Sequence, residues 1–275
     1  MKLFSCLTAY LLALFVTTES FAADMRLAVT TSFHNSGLAD VLLPEIKKDL
    51  GIDVHLLVVG TGQALKLGRA GDVDALLVHS KAAEEEFVAE DYGSHRLDIM
   101  YNDFVLIGPV ADTANIARAA VANDAFKAIA LDRAIFVSRG DDSGTHRKEM
   151  ALWETTGLNP QAFDATWYRA TGSGMGATLN AASAMDAYVF ADRASWLNFG
   201  NKGDLKILFA GDPALFNQYG YIPVNPVRHP HVKADLALRL ENWLVSAPAQ
   251  KLIAAYQING EQLFTPNGKP RAHTQ

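Results

Sequence analysis

The stretch Ser138-Arg139-Gly140-Asp141-Asp142-Ser143-Gly144-Thr145-His146 decides how this chain is read. It follows the apolar run Ala134-Ile135-Phe136-Val137 and precedes a segment with amphipathic-helix periodicity that ends near Trp153. The spacing predicts a strand, a tight loop and a helix over 144–155. Free N–H groups collect at such a helix start, where the dipole is positive. The Arg139 guanidinium and the hydroxyls of Ser143 and Thr145 add donors at the same point, so the loop is suited to an anion. Asp142 or Ser143 serves as N-cap, and the other aspartate can fix Arg139. Two carboxylates pointing into an anion site would repel the ligand, so at least one must face away.

Three further loops share this chemistry. Val29-Thr30-Thr31-Ser32 closes the first strand and Val59-Gly60-Thr61-Gly62-Gln63 closes the next. Thr171-Gly172-Ser173-Gly174-Met175-Gly176-Ala177-Thr178 follows Trp167-Tyr168-Arg169, and its glycines let backbone N–H groups approach a ligand closely. Four donor loops with one obvious cation describe a small oxyanion held mainly by neutral donors. Phosphate keeps a proton at neutral pH and wants a carboxylate acceptor, whereas sulfate, molybdate and tungstate are fully deprotonated and suit donors alone. Charge-assisted bonds of roughly 1.5–3 kcal/mol each, five or six together, support about −12 kcal/mol after ordering costs, which is nanomolar binding.

Strand-like runs at 26–30, 54–59, 75–78, 104–107, 135–137, 187–190 and 206–209 alternate with helical patterns at 37–50, 62–68, 82–89, 122–129, 144–155, 176–184, 191–198 and 233–245. This alternation predicts an α/β fold with largely parallel sheets, whose ligands sit beyond the carboxyl ends of the strands. The donor loops separate into two early and two late ones, which favours two facing lobes. The extended segments Met100 to Pro109 and Leu215 to Pro226 are read as the two crossings between them. One lobe is then residues 23–104 with 218–275, and the other is 105–217. The tail from Asn267 is expected to fray.

Lys2, an apolar run from Leu3 to Val16, and small residues at Ser20 and Ala22 read as a secretory signal peptide over residues 1–22. The run is shorter than the ~20 apolar residues of a membrane span. The single cysteine, Cys6, lies inside that leader, so an exported chain without disulfides must be stable through its core. The formal net charge of −6 argues against nucleic acid or an anionic membrane as partner. No long-range field draws an anion in, and short-range donors must supply the affinity.

A secreted serine hydrolase is the alternative from another class, but Ser143 and His146 are one helical turn apart, and triad members come from distant segments. Ser173 directly follows Gly172 and misses the G-x-S-x-G elbow by one position. His229 and His231 flank Pro230 without a third obvious ligand and read as a surface turn, and Glu84-Glu85-Glu86 as a solvated helix face.

Taken together the motifs resemble the periplasmic tungstate-binding proteins of ABC transporters over nearly the whole mature chain. The resemblance lies in Thr30-Thr31-Ser32, where the family's TTTS loop has a threonine at the place of Val29, and in 59–65, Leu76-Leu77-Val78-His79, Met100-Tyr101-Asn102-Asp103-Phe104, 138–146 and 174–178. It implies a two-lobed type II periplasmic-binding-protein fold with a hinge of two crossings. It further implies a non-catalytic receptor for tungstate that delivers its ligand to a membrane permease. Its oxyanion contacts fall on Thr31, Ser32, Thr61, Arg139, Ser143, Gly144 and Thr145, with Ser173 or Gly174. No cofactor and no resident metal is expected, the metal entering as an oxyanion, and a monomer is the default for a receptor that docks on a transporter. A molybdate or sulfate receptor of the same fold is the rival within the class, since size and charge do not separate tungstate from molybdate.

Overall fold

The computed structural model describes residues 23–271; the expected signal peptide, residues 1–22, lies outside them. The chain begins β1 (Ala23–Thr30), α1 (Thr31–Asn35), α2 (Leu38–Leu50), β2 (Ile52–Val59), α3 (Thr61–Ala70), β3 (Ala75–Val78), α4 (Lys81–Ala89) and β4 (Leu97–Pro109). It continues α5 (Ala122–Asp132), β5 (Phe136–Ser138), α6 (Gly144–Thr155), β6 (Tyr168–Ala170), α7 (Met175–Ala184), β7 (Tyr188–Asp192), α8 (Arg193–Asn198) and β8 (Leu205–Phe209). It closes with β9 (Phe216–Pro223), α9 (Ala234–Leu244), α10 (Ala247–Ala255) and the short strands β10 (Gln257–Ile258), β11 (Glu261–Gln262) and β12 (Thr265–Pro266).

Strands pair in the order β2-β1-β3-β9-β4-β7-β5-β6, with β8 and β12 also on β4. The two predicted crossings are the centre of this path. In its first half β4 pairs antiparallel with β9, the last pair being Asp103 with Phe216, and from Phe104 opposite Asp192 it pairs with β7 instead. One strand therefore belongs to both lobes and changes partner between Asp103 and Phe104. β9 stays in the first lobe, pairing with β4 and, from Gly220 opposite Val78, with β3.

Burial follows the period of two expected of strands covered on both faces. Leu27, Val29 and Leu77 face a cluster with Leu38, Tyr219, Leu240 and Trp243, while Ala28, Leu76 and Val78 face Leu65, Phe87 and Ile222. In the second lobe Leu106, Phe136 and Phe190 pack on Phe126 and Trp153, and Val105, Val137 and Val189 on Leu179 and Trp196.

Three local expectations change. The loop after β1 is a helical turn, α1, because the Thr30 hydroxyl accepts from Phe33 N at 3.3 Å and starts it. The helix expected from Ala191 starts at Arg193, since Asp192 caps it by accepting from Ser195 N at 2.9 Å. The tail does not fray at Asn267: its side-chain amide donates to Gln218 Oε1 at 2.7 Å, and Gly268 N donates to Ile99 O at 3.0 Å.

Candidate anion-binding site

Parallel register brings the donor loops to two facing edges. Thr30 lies opposite Val59 and Val29 opposite Leu77, so the residues after β1, β2 and β3 leave the first sheet together. Ser138 lies opposite Ala170 and Val137 opposite Val189, so Arg139, Thr171 and Asp192 leave the second sheet together. The edges meet: a Cβ added at Gly144 would stand 3.7 Å from His79 Cε1. Beside this contact a cavity of about 350 Å³ is lined by Ser32, Asn35 and Ser36 from one lobe and Gly176, Leu179 and Asp192 from the other.

In the second lobe the Arg139 loop is organised by its own side chains. Ser143 is the N-cap of α6, accepting from His146 N at 3.3 Å, and Asp141 accepts from Ser143 N at 3.3 Å and from the Arg139 guanidinium. Burial alone would raise the Asp141 carboxyl, but its bonds to Ser143 and Arg139 hold it below the usual carboxylate range. Asp142 faces solvent and takes two bonds from Arg147, at 2.9 and 2.7 Å. One aspartate fixes Arg139 and the other points away, as anion binding requires. Gly140 has a φ of +61°. A Cβ there would lie 2.7 Å from that of Ala170, so the close approach of this loop to β6 needs glycine.

Two features leave donors open. Arg139 Nε is buried and has no hydrogen-bond partner among the described residues. A buried guanidinium N–H without an acceptor is costly, and an arriving oxyanion would satisfy it. The caps of α3 and α7, Gly60 and Gly174, offer no side-chain acceptor, so among the described residues no cap side chain satisfies the first N–H groups of either helix. Ser173 donates its hydroxyl to Thr171 O at 3.2 Å and its N–H to Arg139 O at 3.2 Å, which ties the glycine loop to the arginine loop. Thr145, in the first turn of α6, is buried.

In the first lobe Ser32 is the junction. Its Oγ lies 3.0 Å from His79 Nε2, 3.1 Å from Thr30 Oγ1 and 3.2 Å from the Tyr219 hydroxyl. Burial pushes the Tyr219 phenol up, so it keeps its proton. Burial also pushes the His79 imidazole down from 6.5 to about 4, so the ring is neutral at pH 7. Thr31 is exposed and Thr61 half-buried at the start of α3; they share this edge without a hydrogen bond to the other expected site residues. Val29 is fully buried in the core. The resemblance's first loop threonine, expected at this place, is thus replaced by a core side chain.

Sequence reasoning gave no role to His79, Tyr219 or Asp192. His79 had a signal, since it follows a strand end as Thr31 and Gly60 do, and that strand, β3, is fully buried. Tyr219 and Asp192 reach the cleft from distant elements and had none. Asp192 also corrects the expectation of a site made of donors alone: it is 8% exposed and lines the cavity with Ser32. Both of its oxygens accept from Ser195, from N at 2.9 Å and Oγ at 2.7 Å, so it stands there as the cap of α8. The imidazole of His146 accepts from Asp142 N at 3.0 Å and does not touch the Ser143 hydroxyl. His231 turns to Gly71 O at 2.9 Å, and no cluster of three or more metal-ligating side chains occurs among the described residues.

Residues 16–248 match the family model described as the PBP superfamily domain. The tungstate-binding protein TupA of Peptoclostridium acidaminophilum is 48% identical over 246 residues, covering 88% of this chain and 85% of that protein. The structure of the tungstate-binding protein TupA from Desulfovibrio alaskensis superposes with a TM-score of 0.86 at 45% identity, covering 90% of this chain and 100% of that one. The structure of the tungstate ABC transporter from Geobacter sulfurreducens gives 0.74 at 46% identity, covering 85% and 98%. The chain belongs to the PBP superfamily and, within it, to the family of the TupA tungstate-binding proteins.

Proposed function

We propose that this chain is a periplasmic, non-catalytic receptor that captures tungstate between its lobes and presents it to an ABC permease. The observation behind this reading is the buried Arg139 Nε, without a partner among the described residues, in the loop that leads into α6, whose Gly144 faces His79. Thr31, Ser32 and Thr61 would contact the ligand from one lobe. Arg139, Ser143, Gly144, Thr145 and the Ser173–Gly174 turn would contact it from the other. The lobes divide into 23–104 with 218–275 and 105–217, a division supported by the change of partner along β4. Since the donors come from both lobes, the ligand favours the closed form over the open one.

A hydrolase gains little from the site. The Ser32–His79 distance of 3.0 Å suits a nucleophile and its base, yet among the described residues no carboxylate is bonded to that ring. An imidazole held near 4 is also a weak base at neutral pH.

Thermal unfolding of the ligand-stripped protein with tungstate, molybdate, sulfate and phosphate at equal excess tests the reading, because a ligand bound by the folded state alone raises its stability. A large rise with tungstate is expected. No rise with any of the four overturns the oxyanion site, and a rise with phosphate alone makes Asp192 an acceptor for a protonated anion.

A further inference from the structure

His79 stands between the two lobes. Its Nε2 is 3.0 Å from Ser32 Oγ, and its Cε1 is 3.7 Å from the point where a Cβ at Gly144 would stand. Its ring lies 4.8 Å from that of Tyr219, which limits its freedom to turn away. We propose that His79 is a further anion-binding residue of the cleft, taking up a proton as the oxyanion arrives and becoming a second cation opposite Arg139. The inference rests on the oxyanion reading above.

In the free cleft burial keeps the ring neutral. A dianion held by Ser32 and the α6 amides lies next to the ring, and in a site with an effective dielectric constant of about 20 its charge opposes that burial strongly. The other groups around the ring act the same way or not at all. Asp192, from the end of β7, favours the charged ring, and Tyr219 of β9 is neutral. The α6 turn brings Asp141 and Asp142, each paired with an arginine, Arg139 and Arg147. The sign follows from linkage: a ring that binds its proton more tightly in the complex makes affinity rise as pH falls. The rise ends near the free ring's value of about 4.

Calorimetric titration with micromolar tungstate at pH 6.5, in buffers of different ionisation enthalpy, counts the protons taken up. Wild-type protein is expected to take up on the order of half a proton per anion. His79→Asn and His79→Gln should take up none and bind at least fivefold more weakly. Glu149, buried beneath the arginine loop, is the other group placed to bind a proton, so Glu149→Gln must keep the uptake. Binding by the wild type without uptake overturns this inference and leaves the oxyanion reading standing. So does uptake that persists in a folded His79 variant or is lost in Glu149→Gln. Failure of the wild type to bind tungstate overturns both.

Discussion

The edge formed by β1, β2 and β3 meets the cleft with hydroxyls and a neutral imidazole, whereas the edge formed by β5, β6 and β7 meets it with a guanidinium, a carboxylate and a longer helix start. Their footings differ in the same sense. Behind Ser32 stand Thr30 and Tyr219, both uncharged. Behind Arg139, Ser138 donates to the buried Glu149 at 2.9 Å, and that carboxyl also accepts from Trp153 Nε1 at 3.2 Å and the Tyr168 hydroxyl at 2.8 Å. In a chain of net charge −6 the proposed site of the free protein then has its cation in one loop, with neutral groups on the opposite lobe.

The largest expected effect concerns the footing of the second lobe. Burial pushes Glu149 from 4.5 up to about 7, despite three bonds that favour its anion. Its favourable contribution is present in acid and lost as pH rises through about 7, a swing of about 3 kcal/mol. Urea unfolding of the ligand-free protein at pH 5, 7 and 9 should show this loss, and Glu149→Gln should flatten it. An unchanged slope would remove the buried acid from beneath the arginine loop.

Next in size, Arg139→Ala should weaken tungstate binding at least tenfold, roughly 1.5–3 kcal/mol for a charged hydrogen-bond donor. Near wild-type affinity by calorimetry would break the contrast by taking the cation out of the site. Ser32→Ala removes a neutral donor and should cost about 1 kcal/mol, three- to tenfold in affinity. A loss as large as that of Arg139→Ala would mean that the lobes share the attraction equally. Smallest of all, Asp142→Asn breaks an exposed pair with Arg147 and should leave affinity within about twofold. A larger change would place the Asp142 carboxylate in the cleft.

Much of this was legible locally. The apolar run before Ser138, the serine three residues before His146 and the glycine at position 140 each act within one turn of chain, so strand, cap and loop could be read without neighbours. The crossings were legible because an extended apolar segment covered on both faces keeps an unbroken run of buried residues, as Val105 to Ile107 do in β4. α1 was missed because a single turn held by Thr30 leaves no periodicity, and α10 with the closing hairpin because its pattern is short.

Sequence alone determined the α/β alternation, the four donor loops, the need for one of Asp141 and Asp142 to face away, and the family resemblance, all of which rest on interactions between residues a few positions apart. Tertiary structure decided which donors meet. It set Ser32 against Tyr219, 187 residues away, put His79 between Ser32 and Gly144, and left Arg139 Nε buried without a partner. It also brought Asp192 to the rim. The physical reason is that strand register and burial, which no local pattern encodes, determine which side chains share a low-dielectric space and therefore what charge each can hold.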